Sequence, residues 1–255
     1  MTINIENFGV LFTCYNEVDA VKYSLKCFRK IYPTIKIYLV TESKDSDYSS
    51  LLEFDNISIN HVEDTMYFIP KITDQNFLEP HFQEKILFAT RSFLNRIKKA
   101  IEYCKNDYLL LMDPDTLVRG PLSLPEGAKL LGSRVNWGLP FALRTILAQT
   151  PGAIDINCWG ATPAIIHCET FLKSYKYVME QDPTFLPRIA KTFYAVFAHD
   201  VILPILFALQ GEREIFNPEI IECNRCPYWS ETDHPLVHQF KYLYDDSGYS
   251  IIQYQ

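Results

Sequence analysis

Two carboxylates stand at the end of an apolar run. In LLLMDPDTLVRGPL, Leu109 to Leu122, Asp113 and Asp115 follow four apolar residues and are separated by Pro114. Proline fixes the local backbone and keeps the two acids out of a helix. Hard oxygen ligands of this kind suit Mg²⁺ or Mn²⁺, which in turn bridges the phosphates of a nucleotide. Asp and Pro are also ordinary turn residues, so a plain turn is the competing reading. The apolar strand in front of the pair favours the metal. Phosphatases of the haloacid-dehalogenase type also place two Asp after an apolar strand, but with Thr four residues after the first. Leu117 holds that position here and Thr116 comes one residue early, which argues against that chemistry.

Other residues invite chemical readings. Arg91 precedes the acidic pair on a predicted helix, either as a cation for a pyrophosphate or as a solvated helix charge. Cys223 and Cys226, followed by His234 and His238, suggest structural zinc, although the seven-residue gap is short of the usual finger spacing. Lys241 is a further cation close by. No G-x-G-x-x-G and no Gly-rich phosphate loop is present, so a dinucleotide cofactor is not supported.

These residues must be positioned by a frame, and the first half supplies one by alternation. Phe8 to Thr13 (FGVLFT) reads as a strand. Asn16 can cap a helix on which Val21, Leu25, Phe28 and Tyr32 recur at helical spacing until Pro33. Ile35 to Val40 and Ile57 to Val62 read as strands. Phe82 to Cys104 reads as a long helix with Ile86, Phe93, Leu94, Ile97 and Ile101 on its buried face. Tyr108 to Met112 is a continuous apolar strand, the mark of burial on both sides. Such alternation predicts a mostly parallel, doubly wound sheet with helices on both faces and ligands at the carboxyl ends of its strands. The second half is less regular. Leu130 to Leu131 and Asp155 to Ala164 read as strands, Thr170 to Met179 and Val201 to Leu209 as helices.

The chain has 255 residues, 48% hydrophobic and 22% charged, the balance of an ordinary globular α/β protein. We expect a single domain over 1–255. The formal net charge of −7 repels nucleic acid and anionic membrane, so neither is an expected partner. It also repels an anionic nucleotide, so a site for one calls for a local cation. Met1 to Val10 shows no secretory signal, and no stretch reaches the roughly 18 apolar residues of a membrane span. Seven scattered cysteines fit a reduced compartment. Cytoplasmic location is the expectation, and the oligomeric state is left open.

In order along the chain, FTCYNEVDAVKYSL (Phe12 to Leu25), YLVTESKDSD (Tyr38 to Asp47), the D-x-D of Asp113 and Asp115, and AHDVILPIL (Ala198 to Leu206) resemble a glycosyltransferase of the GT-A fold, family 2-like. The resemblance spans roughly residues 8 to 210. It implies a GT-A sheet with a smaller mixed C-terminal half, a nucleotide-sugar-binding half over 1–120, and an acceptor-binding half with the tail over 121–255. It implies a nucleotide-diphosphate sugar as donor, a glycan or other hydroxyl as acceptor, and Mn²⁺ or Mg²⁺ held by Asp113 and Asp115, with His238 as a tail ligand.

Carried over by position, Thr13, Tyr15 and Glu17 would line the nucleotide pocket. Glu42 would contact base or ribose, and Lys241 a phosphate. Trp159 and Gly160, in the segment from Asn157, would face a sugar, with a core Trp as the other reading. Asp200 would be the base of an inverting reaction, or an N-cap before Val201, and His199 would tune it or touch the acceptor. Two other readings stay open. A nucleotidyltransferase would need a Gly-rich basic opening loop that Phe12 to Asp19 lacks. A non-catalytic nucleotide-sugar-binding protein is the other.

Overall fold

The computed structural model describes residues 2–4, 7–14, 17–42, 47–62, 80–139, 141–156, 158–192, 199–216, 221–223 and 235–238. A seven-stranded sheet runs through the middle. Its strands are β2 (Phe8–Cys14), β3 (Ile37–Thr41), β4 (Ile57–His61), β5 (Tyr108–Met112), β8 (Leu130–Gly138), β9 (Cys158–His167) and β10 (Glu214–Phe216). The order is β10-β8-β9-β5-β2-β3-β4. All pairs are parallel except those made by β9, which runs against both β5 and β8.

Alternation along the buried strands sorts their side chains into two layers. Leu109 and Leu111 join one core with Ile86, Phe93, Leu94 and Ile97 of α2 (Pro80–Cys104). That layer also holds α3 (Phe141–Ala148), α4 (Cys168–Lys176), α5 (Phe185–Thr192) and α6 (His199–Ala208). Leu110 and Met112 join the opposite core with Val21, Leu25 and Phe28 of α1 (Val18–Ile31). The five α2 residues expected on its buried face are all buried.

Short strands complete the frame. β1 (Thr2–Asn4) pairs antiparallel with β7 (Ser123–Pro125). β6 (Thr116–Val118) pairs antiparallel with β12 (Leu236–His238), which pairs in parallel with β11 (Ile221–Cys223). Among the described residues no helix is long and apolar enough to cross a membrane.

The structure moves several expected boundaries. The first helix starts at Val18 with Glu17 at its cap position; Asn16, the expected cap, lies outside the described residues. α6 begins at His199, so Asp200 falls inside its first turn instead of capping it from outside. The expected two-residue strand at Leu130 is nine residues long, with register shifts after Gly132 and Ser133. β9 begins at Cys158 instead of Asp155. The expected helix Thr170 to Met179 begins at Cys168 and widens into a π turn over Tyr177–Gln181.

Candidate functional site

The chain reverses direction across the sheet between β2 and β5. From β2 it proceeds outward to β3 and β4, then returns through α2 to β5 on the other side of β2. Ligands of doubly wound sheets bind at such a switch point, outside the carboxyl ends of the strands. The residues at that rim follow from the register. Met112 stands opposite Phe12, and Cys14 opposite Thr41. Asp113 therefore leaves β5 beside Thr13 and Cys14, one strand away from Glu42.

The Asp113–Asp115 turn is tightly held. Asp113 is half-buried and Asp115 buried, 5% exposed. The amide of Asp113 donates to Thr116 Oγ1 at 3.1 Å, and the amide of Thr116 donates to the Asp113 carbonyl at 2.9 Å. The buried Ser24 hydroxyl on α1 donates to the Thr116 carbonyl. The acids are thus tied to a strand on one side and a helix on the other.

Glu42 follows β3 and is buried, and its carboxylate forms an ion pair with the buried guanidinium of Arg96 on α2. Removing one partner of such a pair leaves a buried charge uncompensated and costs about 3–5 kcal/mol. Glu42 is therefore an anchor between sheet and helix as well as a rim residue. Arg96 is a rim-side residue that sequence reasoning missed, because a charged side chain reads as surface. Its spacing was the available signal: it lies three residues after Phe93 and beside Ile97, on the buried stripe. Arg91, the cation singled out from sequence, is exposed on the same helix.

A second missed residue is Tyr48. It is buried, and its side chain hydrogen-bonds those of Cys14 and Thr41 at the ends of β2 and β3. Cys14 also donates to the Val40 carbonyl at 3.4 Å. Burial pushes both the Cys14 thiol and the Tyr48 phenol well above their ordinary values, so both stay neutral.

The remaining candidates divide into those the fold brings near and those it does not describe. Thr13 is buried near the end of β2, and Glu17 half-buried before α1. Ala164 of β9 stands opposite Leu111, so the earlier residues of β9, including Trp159 and Gly160, continue past the Asp113 end of β5. Trp159 is registered opposite Trp137 of β8. The register of β12 sets His238 opposite Thr116, next to Asp115, and Cys223 opposite His238. His199 and Asp200 open α6, which packs on β9. Pro204 removes the amide that would have bonded the Asp200 carbonyl within that helix. Tyr15, Asn157, Cys226, His234 and Lys241 lie outside the described residues.

Hard oxygen donors at the rim suit a divalent ion of the Mg²⁺ or Mn²⁺ kind. Among the described residues no group of three or more His, Cys, Asp or Glu side chains gathers as a metal cluster. Asp113 and Asp115 alone supply the pair described at side-chain level.

No protein-family model matches the chain, and no curated protein matches it. Among solved structures, the galactosyltransferase LgtC in complex with donor and acceptor sugar analogs is similar, with a TM-score of 0.51 and 14% identity over 91% of this chain and 87% of that one. An active-site mutant of LgtC gives a TM-score of 0.50 and 15% identity over 91% and 87%. The apo structure of the bifunctional glycosyltransferase WbbM aligns with 92% of this chain at a TM-score of 0.48 and 10% identity, and this chain spans 46% of its length. The likeness to LgtC establishes the fold. It is a GT-A-like, mostly parallel sheet flanked by helices, mixed with antiparallel strands.

Proposed function

We propose that this protein is a glycosyltransferase that moves a sugar, a hexose by expectation, from a nucleotide-diphosphate donor to an acceptor hydroxyl, with Mn²⁺ or Mg²⁺. The observation that carries the reading is the Asp113–Asp115 turn, held by Thr116 and Ser24 at the switch point of a GT-A-like sheet. LgtC, whose fold is similar, has been crystallised with donor and acceptor sugar analogs, which favours a sugar donor over other nucleotides. The narrower family 2-like affinity rests on the sequence motifs alone.

In this reading Asp113 and Asp115 hold the ion, and His238, next to them by register, adds a ligand from the tail. When bound, the ion offsets the negative charge of the diphosphate. Thr13, Tyr15 and Glu17 line the nucleotide pocket, Glu42 fixes the end of β3 against base or ribose, and Arg91 and Lys241 supply positive charge. The half over 121–255 binds the acceptor, with Trp159 and Gly160 toward the sugar and His199 toward the acceptor.

Asp200 serves the inverting form of the reaction. Its carboxylate takes the acceptor proton as the hydroxyl oxygen bonds to the anomeric carbon and the bond from that carbon to the diphosphate oxygen breaks. Asp200 lies in the first turn of α6, and helix N-termini favour negative charge. Inversion rests on Asp200 alone, and the anomeric configuration of the product decides it.

The reading is tested by melting the protein against a panel of nucleotide sugars with and without Mn²⁺. A ligand at a hundred times its Kd adds roughly 2.7 kcal/mol to the native state. One donor should raise the melting temperature clearly, and more so with Mn²⁺. A panel in which no nucleotide sugar stabilises the fold contradicts the reading. Stabilisation without turnover or hydrolysis of any donor leaves a binding protein in place of an enzyme.

A further inference from the structure

One residue is tied to the acidic pair, to α1 and to β12. Thr116 is fully buried. Its hydroxyl oxygen accepts the amide of Asp113, and its own amide donates to the Asp113 carbonyl. Both backbone polar groups of the first acid are therefore fixed by the same residue. Its carbonyl accepts the Ser24 hydroxyl from α1, and its place in β6 is registered against His238 of β12.

Position 116 is a fully buried strand position where valine fits equally well in size and β propensity. Burying a hydroxyl costs free energy unless it is hydrogen-bonded, so the threonine is explained by the bond that valine cannot make. We infer that Thr116 is the positioning residue of the metal site: it sets the spacing of the Asp113 and Asp115 carboxylates, and Ser24 locks it to α1. The inference rests on the metal reading of the acidic pair and adds a residue that no ligand count would single out. Groups that orient metal ligands from behind typically change metal affinity by about 10- to 100-fold when removed.

The test measures Mn²⁺ binding from the loss of the free-ion electron paramagnetic resonance signal, with Mn²⁺ alone and then with UDP or GDP in turn. Wild type, Thr116→Val, Thr116→Ser and Ser24→Ala are compared, with melting temperatures alongside. Thr116→Val should weaken Mn²⁺ about 10- to 100-fold, with turnover largely recovered at saturating Mn²⁺. Thr116→Ser, which keeps the acceptor oxygen, should bind close to wild type. Ser24→Ala should weaken binding by less than Thr116→Val. A Thr116→Val protein that melts lower but binds Mn²⁺ like wild type overturns the inference and leaves the metal reading intact. If Thr116→Val does not fold, Ser24→Ala decides, and unchanged affinity there overturns the inference. Wild type that binds no Mn²⁺ under any of these conditions defeats the metal reading itself, and this inference with it.

Discussion

The two ends of the central sheet are built from the same strands and used in opposite ways. At the amino end, side chains close against one another. Gly9 of β2 lies so near Cys104 of α2 that an added Cβ would collide with its Cβ and Sγ. Asn7 donates to Asp107 at 2.7 Å, and the amide of Cys168 to the Asp107 carbonyl at 2.8 Å. His167 ends β9 there, capping α4 through Thr170 and packing edge-on against Tyr108. At the carboxyl end the strands finish in Asp113, Asp115 and Glu42, acids held by Thr116, Ser24 and Arg96. Polar groups at the amino end satisfy each other and lock the fold. Those at the carboxyl end are fixed from behind, which is what a site needs for its groups to stay in place when a ligand arrives.

The contrast is sharpest in the acidic pair. Asp113→Ala or Asp115→Ala should abolish transfer while the melting temperature stays near wild type, measured by donor turnover and calorimetry on the same preparations. Either variant at full activity breaks the division between the two ends.

Asp200→Asn comes next. A general base contributes about 10²- to 10⁴-fold, and asparagine cannot accept the acceptor's proton. Turnover should fall by that order with donor binding kept. Turnover near wild type would reduce Asp200 to a first-turn charge. A product with retained configuration would remove its role as base even if turnover fell.

The amino end should respond in the other currency. Gly9→Ala forces a methyl into the Cys104 contact, and overpacking of this kind costs about 1–3 kcal/mol. The melting temperature should drop by several degrees while the donor's Kd stays unchanged. A donor affinity that falls with stability would show that the two ends are coupled.

The smallest effect concerns pH. Burial first, and Lys129 second, hold the His167 imidazole below its ordinary 6.5, against smaller opposing effects of Glu169, Asp107 and Glu212. The unfolded chain therefore takes up the proton more readily than the native one. Stability from this group is present above about pH 6.5 and is lost as pH falls through the lowered native value. His167→Asn keeps a capping residue that does not titrate. Between pH 7.5 and 5.5 the wild type should lose more thermal stability than this variant. Equal slopes would place the acid sensitivity elsewhere.

How much of this was readable in the sequence follows from where the signal is local. Tyr108 to Met112 is a strand with the expected bounds because five apolar residues in a row need burial on both faces. α2 announced itself through the helical spacing of Ile86, Phe93, Leu94, Ile97 and Ile101. The three-residue strands β1, β6, β7, β10, β11 and β12 carry no period of their own and exist through pairing with distant segments. α5 was hidden by Pro187, which the first turn of a helix tolerates. Only Leu130 and Leu131 of β8 were legible, because Gly132 and Gly138 weaken a strand signal. At the site, the acids were visible because their types and spacing are unusual, whereas Arg96, Tyr48 and Ser24 act through partners elsewhere along the chain. A charged or hydroxyl side chain gives no sign from its neighbours alone that it is buried and paired.

Whether the carboxyl rim carries a metal-dependent sugar transfer is decided by following product formation from the donor that stabilises the fold, in Mn²⁺ and then in excess EDTA. Turnover should proceed in Mn²⁺, stop in EDTA and return when Mn²⁺ is restored. Turnover undiminished in EDTA would rule out a metal-dependent rim.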